Sequence, residues 1–116
     1  MQRKFRLTRS TDFKRVRHTG KSYAHPLVVL VVKANETSGI RVGVTAGRSV
    51  GGAVRRNRSK RLLREAMRPL LPKLPPGWDL ILIARKPLPS SSLVEIRSVL
   101  EHLLRRANLY PAPDES

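Results

Sequence analysis

The sequence predicts an α+β fold: a two-layer sandwich of a mixed four-stranded sheet and three helices, in the order αβββαβα. Three observations point there. Residues 27–32 and 79–84 are aliphatic almost throughout, as strands covered on both faces are. Leu93, Ile96, Leu100, Leu103, Leu104 and Ala107 repeat with a helical period. A long basic helix separates the last strand from those before it, so joining them takes a crossover and a mixed sheet. The 116 residues suffice for one domain and are too few for two with proper cores. Residues 1–110 are expected to form a single domain, with 111–116 a flexible tail.

Taken in order, residues 1–9 are basic and irregular, with Phe5 and Leu7 spaced to anchor an extended segment. Ser10, Thr11 and Asp12 supply a helix N-cap. The short helix runs to about His18, and Gly20 suits its stop. Phe13 and Val16 share its apolar face, with Lys14, Arg15 and Arg17 on the other. Phe13 reads either as core or as a stacking platform for an unpaired base. A short strand is expected over 21–24 and a buried one over 27–32, then a loop over 35–39 with turn chemistry. Residues 40–46 alternate, with Ile40, Val42 and Val44 on one face. This strand and the one before it are expected to pair as an antiparallel hairpin.

Residues 47–52 form a basic, glycine-bearing loop. It reads either as a flexible entry to a helix or as backbone that approaches phosphate beside Arg48 and Arg55. The main helix spans 51–68 and is closed by Pro69. At about 100° per residue, Ser59, Leu62, Leu63 and Ala66 face a core, continued by Leu70. Asn57, Arg58, Lys60, Arg61, Arg64 and Arg68 fill the opposite arc. Val50, Ala53 and Val54 break this register by projecting with the cations. Either the helix begins after Gly51 or its first turn packs elsewhere. Pro69, Pro72, Pro75, Pro76 and Gly77 predict a non-helical loop. Asp79 opens the last strand in a turn or cap role. Ser92 with Glu95 forms a capping box for the final helix, whose wet side carries a Glu101–Arg105 pair.

The charge is +16 and uneven. Residues 1–68 hold 18 Lys/Arg against 3 Asp/Glu, a net of +15, and residues 69–116 hold 6 against 5, a net of +1. Arg55, Arg56 and Arg58 crowd the first turns of the main helix, where its dipole disfavours cations by about 0.3–1 kcal/mol each. Stability alone would select Asp or Glu there. The charge therefore serves a polyanionic partner. Nucleic acid fits better than a membrane surface, because a domain this small needs Leu62, Leu63 and Ala66 for its core.

Several function classes fall away. Without cysteine there is no disulfide, thiolate metal site or cysteine nucleophile. No apolar h-region follows the basic N-terminus, and no apolar run is long enough to span a bilayer, so a cytoplasmic protein is expected. No pair among the eight carboxylates has the spacing of two-metal or acid–base chemistry. His18, His25 and His102 lack Cys or Glu at ligand spacing and read as surface or turn residues. No catalytic or metal-ligating residue is expected.

Residues 40–44 followed by 50–66 resemble the signature of the bacterial ribonuclease P protein component. Its centre is the triplet Arg56-Asn57-Arg58, with Lys60, Arg61 and Arg64 after it. Arg6-Leu7 with Asp12-Phe13 resembles the family's opening, and Ile81, Ile83, Ala84 and Arg85 followed by Pro87 resemble its last strand. The resemblance implies a left-handed crossover and a protein that binds ribonuclease P RNA and precursor tRNA, with no membrane and no obligate protein partner. It implies an endoribonuclease holoenzyme that removes the 5′ leader using Mg²⁺ held mainly by the RNA. The protein alone is not expected to be catalytic. RNA binding is expected from Arg48, Arg55, Arg56, Asn57, Arg58, Lys60, Arg61, Arg64 and Arg68. The leader is expected in a cleft between the first helix and the sheet, lined by Arg9, Phe13, Val16, Arg17, Tyr23 and Lys33. One turn after Phe13, where members often carry a second aromatic, this chain has Arg17. Leu30 and Val31 replace aromatics in the central strand. Charge and guanidinium stacking by Arg17 are the expected substitutes. Composition alone leaves a ribosomal protein or general RNA chaperone of similar fold as the alternative.

Overall fold

The computed structural model describes residues 6–7, 9–36 and 39–110. The expected Phe5 anchor and the 111–116 tail lie outside them. Helix α1 (Ser10–Thr19) is followed by β1 (Lys21–Ala24), β2 (Val28–Ala34) and β3 (Ile40–Ala46). Then come α2 (Ala53–Met67), β4 (Trp78–Ala84) and α3 (Leu93–Arg106). The four strands form one sheet in the order β1-β2-β4-β3. β1 and β2 pair antiparallel, as do β2 and β4, while β3 and β4 run parallel.

This order corrects the expected hairpin. β2 and β3 are not neighbours, because β4 lies between them. The physical reason is the hydrophobic pattern itself. β2 and β4 are the strands with apolar side chains on both faces, so burial drives both to the centre. β3 alternates and takes an edge, where Leu7 N–H bonds Val42 O at 2.9 Å. The true hairpin is β1–β2, turned at His25-Pro26, with His25 N–H on Val28 O at 3.0 Å.

Alternation along the strands sorts the core into two. Val28, Leu30, Val32, Val42, Leu80 and Leu82 face α2 and α3, which bring Leu63, Ala66, Met67, Ile96, Leu100, Leu103 and Leu104. Val31 and Ile81 face the other way and meet Leu7 and Val16, with Phe13, Val29 and Ile83 packed alongside. α1 thus sits on the second face as a partial third layer, with Leu7 beside it.

Three local expectations change and one holds. Arg9 occupies the N-cap of α1 without a side-chain bond, and Ser10 is already helical. Asp12 is drawn instead to Arg41, 3.3 Å away. The segment after α2 is not a plain loop: Arg68–Lys73 winds as a 3₁₀ helix with Pro69 at its start and Pro72 inside. The first turn of such a helix needs few internal N–H donors, so proline is tolerated there. It buries Leu70 and Leu71. Ser92 caps α3 as expected, accepting from Glu95 N–H at 3.1 Å. Arg105 lies over the Tyr110 ring at 5.2 Å, and among the described residues it forms no ion pair with Glu101.

Gly20 makes the tight joint between α1 and β1. A Cβ there would lie 2.6 Å from Val16 O and 2.7 Å from both Val31 Cγ1 and Val32 O. Two of these neighbours are backbone and cannot swing aside. Gly20→Ala is expected to destabilise the fold by about 1–3 kcal/mol, the usual scale of overpacking. Urea denaturation would show a lowered midpoint at unchanged slope.

Candidate nucleic-acid interface

α2 begins at Ala53, which resolves the register conflict. Val50 belongs to a separate 3₁₀ turn, Arg48–Val50, and is buried. Gly51, at φ +135°, breaks the path between that turn and the helix. Few residues other than glycine hold that angle. Ala53 and Val54 are therefore free to project outward, and Val54 is 82% exposed. Gly52 occupies the N-cap with no side-chain bond, and no acidic residue stands in the first turn.

The inner face of α2 is as expected: Ser59, Leu63 and Ala66 are buried, joined by Met67. Ser59 Oγ donates to Arg55 O at 2.9 Å, which satisfies a hydroxyl inside the core. On the outer arc Asn57, Arg58, Arg61 and Arg68 are exposed, while Lys60 and Arg64 are half-buried. Arg48 is exposed in its turn. Among the described residues the one ion pair on α2 joins Arg68 to Glu65, at 2.6 Å. The rest of the row has no carboxylate partner among the described residues.

Two of the expected contact residues are partly committed within the protein. Arg55 folds back so that its Nε donates to Val50 O at 3.1 Å. Arg58 Nε donates to Pro89 O at 3.1 Å. Arg56 is half-buried, and its Nε is enclosed without a partner, as is that of Arg64. Burial and the neighbouring charge of Arg6 both lower the Arg64 pKa from its usual value. Arg6 reaches this site by bridging to Val42 on the β3 edge. It joins the cationic surface, although nothing in its sequence position links it to α2.

The other face of the sheet carries a second candidate surface. α1 covers one end of it. Phe13 lies half-buried there against Gly43, where a Cβ would sit 2.7 Å from Phe13 Cε2. Arg9 and Arg17 are exposed, and Lys33, on the α1 side of β2, is half-buried. Two expected cleft residues are displaced. Val16 is wholly buried beneath α1 and supports the wall without lining it. Tyr23 pairs with Leu30 and packs in the α2–α3 core, so strand alternation turns it to the opposite face. Its ring is flanked there by Lys21 Nζ at 5.5 Å and Arg106 Cζ at 5.6 Å.

Beyond the end of α1 this face opens into a hollow. Val29 and Ile83 line it, with Pro26, Ser49, Arg85 and Lys86 around them. Arg85 and Lys86 were not among the expected site residues. Their signal was present as two adjacent cations directly after a buried strand. Ser49 sits in the turn that leads to α2, so the hollow and the basic helix are continuous.

At the opposite end of this face lies the one fully buried carboxylate among the described residues, Asp79. Its place is an ion network and not the expected turn or cap. Arg41 grips it with Nε and Nη2 at 2.9 and 2.8 Å. Arg15 Nη2 and Asn35 Nδ2 add bonds at 3.2 and 2.9 Å. Burial pushes the Asp79 carboxyl up, but the bonds from Arg41 and Asn35, the Arg41 charge and the Arg15 bond outweigh it and hold the pKa below the usual range. No group of three or more His, Cys, Asp or Glu that could hold a metal ion occurs among the described residues.

A ribonuclease P family profile matches residues 1–108. The ribonuclease P protein component of Herpetosiphon aurantiacus is 40% identical over 110 residues, covering 95% of this chain and 89% of its own. That of Chloroflexus aurantiacus is 40% identical over 114 residues, covering 97% and 84%. Among solved structures, the Staphylococcus aureus RNase P protein superposes with a TM-score of 0.81 at 31% identity, over 91% of this chain and 97% of that one. The Thermotoga maritima RNase P protein gives 0.77 at 32% identity, over 87% and 96%.

The Asp79 network yields a pH dependence. Its folded pKa lies below the unfolded value of about 3.9, so its contribution is complete above that value. It is lost as pH falls through the folded pKa. Thermal melts from pH 7 to pH 2 should show this acid loss in the native sequence. In Asp79→Asn the curve should start lower at pH 7 and flatten on the acid side.

Proposed function

The chain belongs to the ribonuclease P protein component family, and from that premise we propose how it serves as the protein subunit of the holoenzyme. The outer arc of α2, extended by Arg6 and Arg48, binds the catalytic RNA. The observation that carries this is a row of guanidinium groups along α2, almost none with a carboxylate partner among the described residues, beginning with Arg55 and Arg56 at the helix end whose dipole repels cations. RNA phosphates supply the missing anions, and Asn57 within the arc offers an amide to phosphate, 2′-hydroxyl or base edge.

The second face takes the single-stranded 5′ leader of precursor tRNA. An apolar floor of Val29 and Ile83 suits bases, and Arg85, Lys86, Lys33 and Arg17 around it suit phosphates. Phe13 is the one aromatic ring among the described residues on this face, so stacking by guanidinium groups takes a larger share. The protein's own buried carboxylate is occupied by arginines, a poor donor set for Mg²⁺, which prefers carboxylates and phosphates free to coordinate. We therefore place the ion on the RNA, and the cleavage chemistry with it. Among the described residues no helix is long and apolar enough to cross a membrane, and the proposed location is the cytoplasm with the RNA.

Replacing Arg58, Arg61 and Arg68 together with Ala tests the RNA surface. Log K for ribonuclease P RNA against log salt should lose about 0.7–0.9 of slope per phosphate contact removed, roughly 2 in all. An unchanged slope would place the RNA elsewhere. In a reconstituted assay the native protein should lower the Mg²⁺ concentration that the RNA needs to trim precursor tRNA. A general RNA chaperone would act alike on unrelated ribozymes.

A further inference from the structure

α1 is ill-equipped to hold its own position. It has ten residues and no side-chain N-cap. Isolated helices shorter than about 12–15 residues are marginal in water. Its apolar grip on the sheet rests on Phe13 and Val16, with Leu7 beside them. Yet this helix forms the wall of the proposed leader cleft, and any change in its height above the sheet changes the cleft's width.

The ion network answers that need through crossed pairs. Arg41, on the sheet, grips the buried Asp79 with two nitrogens and reaches Asp12 of α1 with the third, Nη1, at 3.3 Å. Arg15, on the helix, reaches back to Asp79 at 3.2 Å and lies 3.8 Å from Asp12. Helix and sheet each present a cation and a carboxylate to the other. The two-nitrogen grip lies within the sheet and fixes Arg41 and Asp79 against each other, so the Arg41 Nη1 and the Asp79 carboxylate stand as preset points for the single bonds to Asp12 and Arg15 of α1. Buried ion networks add little net stability over apolar packing, so their worth lies more in geometry. Gly43, two residues along from Arg41 on the same face of β3, lets the Phe13 ring settle against bare backbone. Gly20 fixes the far end of the helix.

We propose that the Asp79–Arg41–Asp12–Arg15 network is a clamp that sets the height of α1, making Arg15 and Asp12 positioning residues for leader-bearing substrate. The proposal rests on the cleft reading above. The two carboxylates serve it at a cost, since each would repel a phosphate if left bare.

The test uses holoenzyme reconstituted with ribonuclease P RNA and two precursor tRNAs, one with a long leader and one with a single leader nucleotide. Arg15 has a side chain 41% exposed, so Arg15→Gln is expected to fold. It should raise KM for the long-leader substrate by about three- to tenfold, the scale of one ordinary hydrogen bond at a partly exposed site. It should leave kcat, the short-leader KM and the affinity for RNA alone unchanged. Arg15→Lys, which keeps the charge, should recover part of the loss. Asp12→Asn separates positioning from direct contact. Removing a negative charge should tighten leader binding if Arg15 itself holds phosphate, whereas a loosened clamp weakens it. Equal effects on both substrates, a change in RNA affinity, or tighter binding by Asp12→Asn would overturn the proposal. If the unmutated holoenzyme handles both substrates alike, the cleft reading fails first and the clamp with it.

Discussion

The pairing of β2 with β4 is the constraint from which the rest follows. Seven residue pairs join them, from Val28 with Ala84 to Ala34 with Trp78. Both strands present aliphatic side chains to both faces, so neither face can be left wholly to water. Two helices cover one side closely. Among the described residues the other side receives the ten residues of α1 and Leu7, and what they leave uncovered becomes the hollow over Val29 and Ile83. The candidate cleft is thus a consequence of incomplete cover on a sheet whose two central strands are apolar on both faces.

Charge is distributed around this frame with little waste. Two acidic residues, Asp12 and Asp79, are spent on joining α1 to the sheet, and Glu65 meets Arg68. None of them stands in the first turn of α2. The crowding of Arg6 and Arg64 shows the cost: burial and repulsion already depress the Arg64 pKa before any partner is present. Such a surface gains on meeting an anion what it gives up in the free protein.

Much of the fold could be read from pattern alone, because each element's period is local information. The limits of β3 and the capped start of α3 agree with the sequence reading, as does the buried face of α2. Partner choice and facing could not be read in the same way. Whether Tyr23 shares a face with Phe13 depends on the register of β1 against β2, and a one-residue shift would reverse it. Its pairing with Leu30, set by the turn at His25-Pro26, puts it in the other core. The role of Asp79 was hidden for a similar reason. Its partners Arg41 and Arg15 lie 38 and 64 residues away in the chain. The break at Gly51 was visible only as a contradiction, apolar residues falling among cations, and that contradiction marked the place where the helix register is reset.

The parallel pairing of β3 with β4 then explains why the two candidate surfaces meet. Parallel strands in register end at the same edge, and Ala46 stands beside Ala84. The chain leaves β3 into Arg48 and Ser49, and leaves β4 into Arg85 and Lys86, so four polar or cationic residues gather at one end of the sheet. The Arg48–Val50 turn wraps that end, with Val50 in the α2–α3 core and Ser49 in the hollow on the far side. Only the crossover through α2 delivers the basic helix from the same edge at which the hollow opens. An RNA bound along α2 and a single strand lying across the sheet would therefore converge at this edge, whichever nucleotides make the contacts.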